Sequence, residues 1–89
     1  MKAVITVIGK DTVGIIAKVC TYLANNNINI LDISQTIVDG YFNMMMITDT
    51  EACTKDLAEL RHELHQVGHE IGVNIHVQHE EIFEMMHRI

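Results

Sequence analysis

Alternating and helically spaced apolar positions divide the chain into six main elements. The segments 2–8, 28–38, 41–48 and 73–79 are rich in β-branched and other apolar residues with strand-like alternation, which predicts four strands. Between the first and second strands, and again between the third and fourth, apolar residues recur three or four positions apart, which predicts two helices. A shorter amphipathic segment, 80–89, predicts a C-terminal helix.

The two long helices have expected starts and buried stripes. The first is expected to begin at Asp11 or Thr12, whose side-chain oxygens can cap a helix. Its stripe is expected to comprise Val13, Ile16, Val19 or Cys20, and Leu23. The second is expected to begin near Cys53 or Thr54 and to end at Gly72. Its stripe is expected to comprise Leu57, Leu60, Leu64, Val67 and Ile71.

Turn signals connect these elements into one fold. Asp39-Gly40 predicts a type I′ hairpin between the second and third strands, because that turn needs positive φ at both central residues. A change of phase between Ile30 and Leu31 predicts a bend or bulge. The resulting β-α-β-β-α-β order predicts a ferredoxin-like α+β sandwich, with two helices on one face of a four-stranded antiparallel sheet. We expect a single domain over residues 1–89.

The second face of the predicted sheet carries more apolar residues than a solvated face needs. The first and third strands are apolar on both faces, yet both helices lie on one face. The C-terminal helix, a second subunit, or both are therefore expected to cover the other face. Because a chain of 89 residues has only a limited core, we predict a homodimer formed through a sheet edge or a sheet face.

Composition narrows the classes of partner. Twelve acidic residues against six lysines and arginines give a net charge of −6, which disfavours nucleic acid as a partner. No apolar run approaches the roughly 20 residues that span a bilayer, and no signal-peptide pattern opens the chain, so we expect no membrane partner and a cytoplasmic location. Cys20 and Cys53 form no CxxC pair and are expected to be reduced thiols.

Two polar or glycine-containing segments are candidates for ligand binding. The first, Gly9–Ile15, joins the first strand to the first helix, where unpaired helix-start amides can bind a carboxylate and Gly14 permits close approach. It is also compatible with a capped helix start that only packs. The second segment places Asn29 and Asp32 in an otherwise apolar strand, where they could contact a ligand or a partner, or keep an edge strand soluble.

These segments, in this order of elements, resemble an ACT domain. The resemblance rests on Gly9–Ile16 and Asn29–Gln35 and covers essentially all 89 residues. The chain is similar to stand-alone bacterial ACT-domain proteins, which are related to the N-terminal half of the glycine-cleavage-system transcriptional regulator. The resemblance implies a regulatory module that pairs side by side and binds an amino acid between the first loop of one subunit and the second strand of its neighbour.

The same resemblance assigns individual ligand-binding residues. The loop would supply amides and the close-approach glycine, and the strand would supply the facing contacts: Asp11, Thr12, Val13, Gly14 and Ile15, with Asn29 and Ile30. Some amino-acid sensors have Asn-x-Pro-Gly where this chain has Asp-Thr-Val-Gly. An acidic side chain at that point can repel a ligand carboxylate. The alternative function is a structural dimerisation or partner-docking subunit with no small-molecule ligand.

Other chemistry receives little support from the sequence. His65 and His69 are four residues apart on the second helix, with His62 one turn earlier, but a solvated helix face explains them and we predict no metal site. Phosphate chemistry on this fold class needs an arginine cradle, whereas Arg61 and Arg88 lie on the second helix and the tail. We therefore predict no enzymatic activity, no catalytic residues and no cofactor.

Overall fold

The computed structural model describes residues 1–86 and contains four strands and three helices. In chain order they are β1 Lys2–Lys10, α1 Ile15–Asn25, β2 Asn29–Val38, β3 Tyr41–Asp49, α2 Leu57–Ile71, β4 Val73–His79 and α3 Glu80–Met86. The predicted order of elements is therefore confirmed. The predicted C-terminal helix extended to Ile89, which lies outside the described residues.

The four strands form one antiparallel sheet in the order β2-β3-β1-β4, so β2 and β4 are its two edges. The turn between β2 and β3 has positive φ at both Asp39 (53°) and Gly40 (79°), which confirms the predicted hairpin. The register of β2 against β3 shifts between Ile30 and Asp32, which confirms the predicted irregularity.

The core lies between α1, α2 and one face of the sheet. The strands contribute alternate side chains, and the helices contribute residues one turn apart: Ala3, Ile5, Val7, Phe42, Met44, Met46, Val73, Ile75 and Val77, with Ile15, Val19, Leu23, Leu60 and Leu64. In α2 the stripe is as predicted, because Leu60 and Leu64 are fully buried and the flanking apolar residues are partly buried.

The start of α1 differs from the prediction. Helix α1 begins at Ile15, its N-cap is Gly14 in a left-handed conformation (φ 94°), and no side chain caps it. The predicted caps, Asp11 or Thr12, are therefore wrong. Residues 11–14 connect the end of β1 to the helix, and the helix begins only after them. The buried stripe is Ile15, Val19 and Leu23, while Val13 and Ile16 are exposed.

The start of α2 is later than predicted. Asp56 is the N-cap, and its carboxylate accepts a 2.8 Å hydrogen bond from the backbone N–H of Glu59. The predicted start at Cys53 or Thr54 is wrong because Cys53 closes a turn, with its N–H donating to the carbonyl oxygen of Thr50 at 2.9 Å. Gly72 ends the helix with φ 78°, as predicted.

The other face of the sheet, which we call the open face, is partly covered by α3. Helix α3 packs against β1 and β4, and Val4 on this face is buried. Ile8 and Met45, further from α3, are 45% and 38% exposed. The apolar surplus on this face is thus smaller than the sequence predicted, because Ser34, Thr36 and Asn43 share it with the apolar residues.

Candidate functional site

The loop between β1 and α1 is held beside the β2–β3 turn. Residues 11–14 are exposed, and the side chain of Val13 is fully exposed to solvent. The backbone N–H of Asp11 donates to the carbonyl oxygen of Gly40 at 2.9 Å. Ile15, by contrast, is buried in the core, so only its backbone can take part in a site at the surface.

The beginning of α1 has the chemistry of an anion site. The first hydrogen bond within the helix runs from the N–H of Lys18 to the carbonyl oxygen of Gly14, at 3.0 Å. The N–H groups of Ile15, Ile16 and Ala17 have no partner within the helix, and no acidic residue lies in its first turn. A Cβ on Gly14 would meet nothing within 4 Å, so the approach to these amides is open.

The strand half of the predicted site lies elsewhere in the same chain. Asn29 is exposed at the start of β2, and Ile30 is half-buried against the core. Because β1 and β2 are each antiparallel to β3, they run in the same direction. The loop follows the end of β1, whereas Asn29 begins β2, so the two groups are separated along the sheet by about 30 Å.

Strand β2 is an uncovered edge. Every residue from 31 to 38 is exposed, including four apolar side chains that are 47–63% exposed: Leu31, Ile33, Ile37 and Val38. On its outer side this strand has no partner within residues 1–86. A long apolar edge of this kind is a template for pairing with another strand. Sequence reasoning found the polar residues of β2 and considered an edge position for the strand, because such residues can keep an edge soluble.

The opposite edge, β4, is partly closed by α2. The Nε of Arg61 donates to the carbonyl oxygen of Val77 at 2.9 Å. Further along the helix, a Cβ on Gly68 would lie 2.6 Å from the carbonyl oxygen of Val73, so α2 approaches the strand backbone as closely as only glycine permits. Sequence reasoning missed this closure, although a glycine within the apolar stripe of α2 was a signal for it.

A polar cluster joins α1 to α2. The Tyr22 hydroxyl donates to Oε1 of Glu63 at 2.7 Å, and Lys55 Nζ donates to the same oxygen at 2.6 Å. Burial and the bond to Glu63 raise the pKa of Tyr22 well above its usual value. The bonds from Lys55 and Tyr22 lower the pKa of Glu63. The tyrosine thus stays protonated and acts as a tether between the helices.

The histidines and cysteines form no compact ligand cluster. Within residues 1–86, no three His, Cys, Asp or Glu side chains lie close enough to hold a metal ion together. His62, His65 and His69 are exposed on the outer face of α2. Cys20 and Cys53 are free thiols, and each is partly exposed. Cys20 is therefore less buried than the sequence predicted.

Comparison with known proteins identifies the family. Residues 2–78 match a family model described as an ACT domain. The chain belongs to the ACT domain family. ACT domains are regulatory ligand-binding modules, so the family supports a regulatory role for this chain. A UPF0237 protein of Bifidobacterium longum is 61% identical over 88 residues, which are 99% of this chain and 98% of that protein.

Solved structures agree with the ACT fold. An ACT domain protein from Streptococcus pneumoniae is 44% identical, with a TM-score of 0.84 over 94% of each chain. A protein assigned as a glycine cleavage system transcriptional repressor shares the fold at 20% identity, with a TM-score of 0.72 over 86% of this chain and 44% of that one. Within the described part of this ACT domain, no helix is long and apolar enough to cross a membrane.

Proposed function

We propose that this ACT domain is a regulatory module that binds an amino acid or a similar small polar metabolite where two copies pair through β2. The observation that carries the proposal is the uncovered β2 edge, together with the partial closure of the β4 edge by α2. A sheet that pairs through one edge forms a closed two-fold dimer, because the pairing edge of each copy is then occupied by the other copy and cannot bind a third.

The backbone of β2 favours one register of pairing. Val38 and Tyr41 flank the two-residue turn, so they exchange hydrogen bonds, and by alternation Thr36 and Ser34 also bond towards β3. The N–H and C=O groups of Ile33, Gln35 and Ile37 then point outward. An antiparallel pair of β2 strands centred on Gln35 joins these groups and sets Ile33 of each copy opposite Ile37 of the other, which buries four half-exposed side chains.

That register completes the site. With Gln35 on the two-fold axis, Asp32 of the second copy lies opposite Val38 and therefore level with Tyr41. Asn29 of the second copy lies about 7 Å further along, beyond the end of the sheet where Asp11 is tied to Gly40. The loop and the strand start, which are about 30 Å apart in one chain, thereby lie at the same end of the paired sheet.

The groups that meet have complementary chemistry for an amino acid. The helix-start amides favour a carboxylate. The Asn29 carboxamide offers a donor and an acceptor, and the exposed Asp11 carboxylate can accept from an amino group. Ile15 and Ile30 hold these groups in place from the core, and Thr12 and Val13 line the approach. We infer a dimer that responds to its ligand through a site present twice per pair.

Thermal shift against each of the twenty amino acids tests for the ligand. Free amino acid at about a hundred times its Kd stabilises the folded state by about 2.7 kcal/mol. Val13→Glu should abolish the thermal shift, because its carboxylate, beside the helix-start amides, competes with the carboxylate of the ligand. The control is Val13→Gln, whose side chain is as large as that of glutamate but uncharged, and it should retain the thermal shift. Asn29→Ala should weaken binding by about 1–3 kcal/mol.

Mixing the two defective variants tests whether the site spans two chains. After exchange of subunits between Val13→Glu and Asn29→Ala, half of the dimers are mixed, and each mixed dimer has one intact site. About a quarter of all sites should therefore bind again. Binding that stays absent in the mixture would place the site within one chain. A dimer that no amino acid stabilises would favour the alternative, a structural pairing subunit, for which the apolar β2 edge alone suffices.

A further inference from the structure

The outer face of α2 carries histidines at helical spacing, and none of them belongs to the loop or the strand of the proposed amino-acid site. His62, His65 and His69 are all exposed, and together with Gln66 and Glu70 they line a surface concavity of about 500 Å³. The structure shows no hydrogen bond or ion pair for His65 or His69 within residues 1–86. Their ring nitrogens are thus available to an external ligand.

Helix geometry brings two of these rings together. His65 and His69 are four residues apart in the uninterrupted helix Leu57–Ile71, so their Cβ atoms lie about 6 Å apart on one face. Two histidines at this spacing on a helix can bind a single ion, as they do in helical zinc motifs. The rings stand on a rigid backbone, because the residue before each histidine is buried: Leu64 packs into the core and Gly68 packs against β4.

Instead of the solvated face without a metal site that the sequence predicted, we propose that His65 and His69 form a two-ligand site for a divalent transition metal ion that prefers imidazole, such as Ni²⁺, Cu²⁺ or Zn²⁺. The ion's remaining positions are open to water or to a group from another molecule, which accords with the lack of a third protein ligand nearby. The net charge of −6 favours approach of a cation. Mg²⁺ and Ca²⁺ prefer oxygen ligands and should not bind there.

Titration calorimetry of the untagged full chain with Ni²⁺ tests the site. Ni²⁺ is chosen because it does not oxidise the free thiols. We expect one ion per chain, with Kd weakened on the order of tenfold or more in His65→Gln and in His69→Gln. The double variant should lose the remaining binding, because no ring of the pair is then left to hold the ion. The matched control is His76→Gln, which changes an exposed histidine on β4 and should bind as the wild type does.

Three results would overturn the proposal. They are no Ni²⁺ binding by the wild type, equal binding by the wild type and both single variants, or equal binding of Mg²⁺ or Ca²⁺. The third result would mean that an acidic surface and not the imidazole pair holds the ion. None of these results bears on pairing through β2.

Discussion

The backbone N–H of Asp11 donates a 2.9 Å hydrogen bond to the carbonyl oxygen of Gly40, and so ties the loop before α1 to the turn after β2. This contact fixes the helix-start amides at one end of the exposed edge strand. Asn29, at the other end of that strand, can reach them only from a second copy. In the site that we propose, ligand binding therefore depends on pairing.

Gly14 is required by its backbone conformation and not by lack of space. Its φ is 94°, yet a Cβ there would meet nothing within 4 Å. We expect Gly14→Ala to destabilise the fold by about 1–2 kcal/mol, the cost of a left-handed conformation for a residue with a side chain. Urea denaturation measures the change, and Val13→Ala, at a fully exposed neighbour, should cost no more than about 0.5 kcal/mol. Equal stability of the two variants would show that the loop adopts another conformation.

Leu64 is fully buried where α2 meets the sheet. Truncating a leucine in such a position leaves a cavity, so Leu64→Ala should lower the free energy of unfolding by about 2–5 kcal/mol. Gln66→Ala, two residues away on the exposed face, should change it by no more than about 0.5 kcal/mol. A shift in the Leu64→Ala denaturation midpoint as small as that of the control would mean that the face of α2 assigned to the core is wrong.

Tyr22 should make stability depend on alkaline pH. Its pKa is raised in the folded state above the unfolded value of 10.0, chiefly by burial and then by its bond to Glu63. The stability that the neutral phenol contributes is thus fully present below pH 10 and declines as pH rises beyond it. We expect the difference in unfolding free energy between wild type and Tyr22→Phe to shrink above that pH. A difference that stays constant would contradict the assigned tether.

The sequence predicted the buried face of a helix correctly where the spacing of its apolar residues fitted only one face. In α2, spacings of three and four continue from Leu57 to Ile71, and the predicted stripe is the buried one. Helix α1 was shifted because Val13 and Ile16 continue the spacing as well as Ile15 and Val19 do. The choice between these two pairs of residues depends on the left-handed conformation of Gly14, which the spacing of the apolar residues does not reveal.

The candidate site could be predicted only in part. The sequence indicated the loop and Asn29, because glycine and amide side chains stand out among apolar residues. It could not show that they lie at opposite ends of the sheet, since that follows from the strand order β2-β3-β1-β4. The contact of Arg61 with Val77, which closes part of the other edge, could be predicted only if the packing of α2 on β4 were known.

Pairing through β2 is the central claim, and the molar mass in solution tests it most directly. Light scattering at micromolar concentration should give twice the 10.1 kDa of one chain for the wild type. Ile33→Lys, which puts a charge on the pairing edge, should give a single chain with unchanged circular dichroism, whereas Met45→Lys on the open face should remain a dimer. A monomeric wild type, or a dimer that only Met45→Lys disrupts, would contradict the claim.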